Sequence, residues 1–152
     1  MRTFLLSLLL LPAGAGTLAA QNDTLAIRQV IDQIFDGMRK TDSTLVRSAL
    51  GSGCFLKTVV RNKEGVVVLQ EEAIDNFVKS VGTPRPGTTL DERLLSYTIL
   101  IDGDMATAWT PYEFYVNDRF NHCGVDAFTL MRTAEGWRII GIVDTRRKEG
   151  CQ

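Results

Sequence analysis

Between Leu90 and Arg147 the chain reads as long β-rich runs interrupted only by D-G-D at 102–104, N-D at 117–118 and E-G at 135–136. Each interruption supplies the residues of a tight turn between runs rich in Val, Ile, Thr and aromatics. The segment therefore predicts a four-stranded antiparallel meander. A curved sheet of this kind has an apolar face that must be covered, and the remaining chain has to supply the cover.

That cover is legible upstream. Ile27, Val30, Ile31, Ile34, Phe35 and Met38 follow the i, i+3, i+4, i+7 spacing of an amphipathic helix running from Asn22 to Met38. T-D-S-T at 41–44 offers a cap for a short second helix through Leu45 and Leu50, with Gly51 placed to end it. C-F-L-K-T-V-V-R and V-V-V-L-Q flank N-K-E-G at 62–65 and read as a strand pair. A third helix is expected from Glu71 to Val81, with the E-E pair at 71 and 72 in its first turn and Gly82 and Pro84 stopping it. Helices first and sheet afterwards give an α+β domain.

The first twenty residues are a separate matter. Met1 and Arg2, the apolar run from Phe4 to Leu11 and the small residues of G-T-L-A-A have the order of a secretory signal peptide. We assign residues 1–20 to that leader and 21–152 to one domain, roughly 130 residues around a single core. The expected location is the periplasm or outside the cell, with no membrane association once the leader is removed. Charge is balanced at 18 acidic against 17 basic residues, so the basic footprint of a nucleic-acid binder is missing. Cys54, Cys123 and Cys151 would meet an oxidising compartment, where one disulfide and one thiol, or a bridge between chains, are all open.

Turn positions set which side chains share a face. With Asn117 and Asp118 at the centre of a hairpin turn, Glu113 falls opposite His122 and Trp109 opposite Asp126. With Glu135 and Gly136 central to the next, Asp126 falls opposite Thr145. Trp109, Tyr115, Phe120, Phe128, Leu130, Trp137, Ile139 and Val143 then line the helix-covered face. Glu113, His122, Asp126 and Thr145 form a polar group at one end of it. The other face, with Thr110, Tyr112, Phe114, Cys123, Val125, Thr129, Met131, Ile140 and Ile142, is apolar enough to suggest a dimer interface. The tail from Arg146 onward is read as solvated.

A helix hairpin, a strand pair, a third helix and a long meander resembles the nuclear transport factor 2-like (NTF2-like) superfamily. W-T-P-Y-E-F-Y-V-N running into H-C-G-V-D-A-F and then G-W-R-I is similar to its SnoaL-like and lumazine-binding group. The resemblance implies a cone with a pocket at its open end and a homodimer formed through the outside of the sheet. It implies no single reaction, because enzymes and binders share the fold. Scytalone dehydratase-like sites use two histidines and this chain has one; ketosteroid isomerase-like sites use a tyrosine on the first helix, which is absent here.

Three readings of the polar group follow. His122 beside Glu113, with Asp126 two positions along, is an acid/base unit for an isomerase, cyclase or dehydratase. The same residues, with Trp109, Tyr115, Phe120 and Thr145, are a ligand-binding wall for an unidentified small molecule. Or they satisfy one another as a structural network. No cofactor motif is present, and a lone histidine without paired ligand spacing predicts no metal site.

Overall fold

A computed structural model describes residues 15–151, so the charged and apolar parts of the expected leader lie outside the described residues. Helix α1 runs Ala15–Lys40, longer than the expected span, and α2 runs Ser43–Ala49. Asp42 caps α2 by accepting a hydrogen bond from Leu45 N at 2.9 Å. Gly51 does not end that helix: Leu50 is already extended, and strand β1 (Leu50–Arg61) begins there. Gly51 instead allows close strand packing, since a Cβ would lie 3.0 Å from the Ile140 side chain.

Strand β2 (Val67–Glu72) pairs with β1 across the expected turn, where Asn62 Oδ1 accepts from Glu64 N and Val66 N. Glu71 and Glu72 belong to β2 rather than to the third helix, because Lys57 and Leu56 pair with them across the ladder. Helix α3 is therefore only Ile74–Val81.

The meander exists, but its first strand is split into β3 (Leu90–Leu94) and β4 (Thr98–Asp102), both antiparallel to β5 (Met105–Val116). The cause is Pro111. Its carbonyl accepts from Leu95 N at 2.8 Å, so its missing N–H faces the same edge and the ladder is interrupted there. Strands β6 (Arg119–Thr133) and β7 (Gly136–Arg147) complete the sheet, in the order β2-β1-β7-β6-β5-β3, with β4 also on β5. β1 and β7 run parallel. The result is three helices on a mixed, mostly antiparallel curved sheet, the expected α+β cone.

Ile27, Ile31, Ile34 and Phe35 of α1 pack on Ala106, Ala108, Phe128, Leu130, Trp137 and Ile139 of the concave face. Phe35 meets Phe128 edge-on at 6.3 Å. At the far end, Cys123 and Cys151 form a disulfide and Cys54 stays free, so the tail is tied to β6 instead of trailing into solvent.

Register is where expectation and structure part. Asn117 and Asp118, at φ 52° and 58°, do form the central pair of the β5–β6 turn, and Tyr115 faces Phe120 as expected. Beyond that pair Asn121 is an extra residue: Phe114 faces His122, Glu113 faces Cys123 and Thr110 faces Asp126. One inserted residue reverses the faces of everything after it. The β6–β7 turn is also one residue earlier than expected, with Thr133 facing Gly136, and Ile140 is an extra residue in β7. Asp126 consequently faces Asp144, while Thr145 faces Val125. Thr110, Tyr112, Phe114 and Ile142, expected on the outside, lie within.

Candidate functional site

The mouth of the cone holds a cavity of about 170 Å³. Its apolar wall comes from α1 (Ile34, Phe35, Met38), α3 (Phe77) and the sheet (Leu56, Phe114, Phe128, Ile142); its polar wall from Glu72, Glu92, His122, Asp126, Asp144 and Arg146. Alternation along β6 places His122, Asp126 and Phe128 on this face, and alternation along β7 does the same for Ile142, Asp144 and Arg146.

Of the residues expected at a site, His122 and Asp126 line the cavity. The other five do not. Glu113 lies beyond the concave face, where its carboxylate accepts from Tyr115 Oη at 2.6 Å. Tyr115 is covered by the Arg93 guanidinium at 4.0 Å. Trp109 and Phe120 are 54% and 45% exposed. Thr145 accepts through Oγ1 from Val125 N at 3.2 Å, and its carbonyl accepts from Tyr112 Oη at 3.0 Å.

In their place stand residues that sequence reasoning passed over. Asp144 is buried and fully engaged: Thr58 Oγ1 donates to Oδ1 at 2.5 Å and Arg146 Nε to Oδ2 at 2.8 Å. Arg146 is thus a member of the site and not of a solvated tail. It alternates with Asp144 and Ile142 in I-V-D-T-R, and the extra residue at Ile140 is what turns all three inward. Glu92, within L-D-E-R-L, resembles any exposed charged strand and gave no signal.

Glu92 and Asp126 form a carboxyl pair on adjoining parts of the wall. Burial pushes the Glu92 carboxyl up to about 8, although its hydrogen bond to Asp126 acts the other way. Burial likewise drives Asp126 well above the usual carboxylate range, reinforced by the charges of Glu92 and Asp144. Asp126 is 5% exposed, and its Oδ2 has no hydrogen-bond partner among the described residues. Two ionised carboxylates buried on adjoining parts of one wall repel each other, so the pair favours holding at least one proton.

His122 stacks obliquely on Phe114 at 4.9 Å and meets Tyr112 edge-on at 5.7 Å. Burial, with the charge of Arg146, lowers its pKa and favours the neutral ring. Asn121 Oδ1 lies 2.9 Å from Nδ1, which assigns the proton to Nδ1 and leaves Nε2 as an acceptor. Among the described residues, no group of three or more His, Cys, Asp or Glu is arranged to hold a metal ion.

Known proteins place this geometry in context. An NTF2-like protein of unknown function from Shewanella baltica is similar at TM-score 0.62 and 18% identity, over 85% of this chain and 97% of that one. An NTF2-like protein with a cystatin-like fold from Novosphingobium aromaticivorans gives TM-score 0.69 at 17% identity, over 89% and 88%. A protein from Streptomyces avermitilis described as a "putative dehydratase" of the NTF2-like family gives 0.62 at 13%, over 84% and 98%. At these identities the likeness is one of fold. A comparison with curated proteins finds none that matches. The profile of the family described as "Putative lumazine-binding" matches residues 22–143, which is most of the chain and all of the cavity wall except Asp144 and Arg146. The chain therefore belongs to that family and has the fold of NTF2-like proteins.

Proposed function

We propose that this is an exported, homodimeric cone protein that binds a small, mostly apolar or aromatic molecule in the cavity at its mouth. The observation that carries the reading is Asp126 Oδ2, a buried polar atom without a partner on the wall of an otherwise largely apolar cavity. An apolar cavity of about 150 Å³ takes up a benzene. The 170 Å³ here suits a molecule of roughly one ring, and lumazine itself is the first larger probe. Export is supported by the leader pattern before Gln21 and by a disulfide that suits an oxidising compartment. Dimerisation is supported by the exposed Trp109, Met105, Met131 and Phe55.

The test is native mass spectrometry of protein purified from its own host, beside a folded His122→Ala, Asp126→Ala variant. A small molecule retained by the wild type and lost by the variant supports the reading; an empty cavity in both samples counts against it. The same spectra give the oligomeric state and the mature N-terminus.

A second reading is favoured by one observation. A carboxyl raised to about 8 and a neutral imidazole on the same cavity wall supply a proton donor and a proton acceptor near neutral pH. A SnoaL-like isomerase, cyclase or dehydratase working by proton transfer through Glu92, Asp126 and His122 would use that pair. It requires turnover that His122→Ala abolishes while the variant still folds.

A further inference from the structure

We propose that the cavity selects a ring bearing a cationic or hydrogen-bond-donating nitrogen group, an amidine or amine, which docks on Asp126 Oδ2, and that it rejects carboxylates and other anions. This rests on the cavity being a binding site, as proposed above, and adds the chemical class of its occupant.

The selectivity follows from which polar atoms remain unengaged. Arg146 is the one cation on the cavity wall, and it donates Nε to Asp144 and reaches Thr58 with Nη2 at 3.5 Å. Asp144 is saturated by Thr58 and Arg146. His122 uses Nδ1 on Asn121, which leaves Nε2 as an acceptor. Asp126 Oδ2 is the buried atom with no partner, and in the ionised carboxyl it too is an acceptor. Arg146 keeps Nη hydrogens, but its charge is already paired with Asp144, so the unmet demand of the wall is for donors that the occupant has to supply.

Charge points the same way. β2 contributes Glu72, β3 Glu92, β6 Asp126 and the neutral His122, β7 Asp144 and Arg146, and the tail adds Lys148 at the distance of a weak effect on His122. The helices contribute only apolar groups to the wall. Four carboxyl groups face one guanidinium. A carboxylate ligand entering here would be buried against like charge, with only the Nη groups of an Arg146 already paired to Asp144 as donors. An amidinium instead presents two N–H groups in the geometry that a carboxylate accepts. It also replaces the proton held between Glu92 and Asp126, so its uptake releases a proton. With three or more metal-type ligands nowhere arranged around an ion among the described residues, an organic cation fits better than a metal.

Isothermal titration of the oxidised, full-length mature protein with benzamidine, benzyl alcohol and benzoate tests the proposal, because the three share a ring and differ in charge. Benzamidine should bind on the order of tenfold or more tighter than benzoate. Its advantage over benzyl alcohol should grow several-fold from pH 6 to pH 8, with proton release measurable as a dependence of the heat on buffer ionisation. Asp126→Asn should abolish that growth and the preference for the cation while benzyl alcohol still binds. Glu92→Gln, a second variant in case the first does not fold, should abolish the proton release. Benzoate binding as well as benzamidine, or a cation preference that survives in both variants, overturns the proposal. If benzyl alcohol binds and the cation has no advantage, this inference fails and the binding function stands. If no probe binds, both fail.

Discussion

A proton held between Glu92 and Asp126 has a consequence for stability that requires no ligand. Raising Glu92 from 4.5 to about 8 means that the folded chain keeps a proton that the unfolded chain has released. The stabilisation is complete below the unfolded value and is lost as pH rises through about 8. At about 1.4 kcal/mol per tenfold change in proton affinity, the full span is on the order of 5 kcal/mol, lost between about 4.5 and about 8. Between pH 7 and pH 9 the expected loss is about 1 to 1.5 kcal/mol, the portion that a single group titrating near 8 gives up.

Asp126 is raised with Glu92 and titrates as one pair with it; the other shifted groups act outside that interval. His122, lowered by burial, is neutral above pH 7 in the folded and largely in the unfolded chain, so its opposing contribution lies below the window. The lowered carboxyls of Asp23, Asp36 and Asp91 act only in acid. Burial pushes the Cys54 thiol up to about 11, so its effect begins near pH 9. Urea unfolding at pH 7, 8 and 9, with the disulfide intact, measures the loss directly. Glu92→Gln should flatten the profile, because an amide donates to Asp126 without titrating. A wild type that is flat to within about 0.3 kcal/mol, or a variant that declines as steeply, would refute the shared proton.

Two further outcomes follow from the fold. The Cys123–Cys151 bridge closes a 28-residue separation, and Cys123→Ala with Cys151→Ala should cost about 3.5 kcal/mol by loop entropy, measured as a lower urea midpoint that reducing agent reproduces in the wild type. Gly124→Ala should destabilise by about 2 kcal/mol or more in the same assay, because a Cβ there would sit 1.8 Å from the Thr145 carbonyl oxygen and 2.7 Å from the Tyr112 ring.

What the sequence made legible was whatever depends on local spacing. The apolar stripe of α1, the Asp42 cap, the Asn62 turn and the Asn117-Asp118 turn all appear as read. What it hid was non-local. Nothing in F-N-H-C-G marks Asn121 as an extra residue, and nothing in R-I-I-G-I marks Ile140, because a bulge is chosen by the curvature of the whole sheet. Those two residues and one turn decided which side chains met. His122 and Asp126 kept their place because both sit on β6, where the separation by four holds whatever the partner does. Glu113, Trp109, Tyr115 and Thr145 lost theirs because each depended on register across a bulge. Glu92 and Asp144 arrived by pairings that tight turns alone do not give.

The bulge can be tested as the cause. Removing Asn121 joins Phe120 to His122, and the native pairs Tyr115 with Phe120 and Phe114 with His122 then become consecutive rungs of a regular ladder. Every residue from His122 onward keeps its face, so deletion of Asn121 should change stability by no more than about 1 kcal/mol, with the Asn121–His122 hydrogen bond as the main loss. Deletion of Val125 from the regular part of the same strand has the opposite effect. Restoring the ladder moves residues 119–124 by one, turns Cys123 inward and away from Cys151, and carries His122 off the cavity wall. That deletion should cost about 3 kcal/mol or more and leave the disulfide unformed, measured by unfolding and by thiol titration. If the Asn121 deletion proves as damaging as that of Val125, the inserted residue is doing more than aligning β6 with β5.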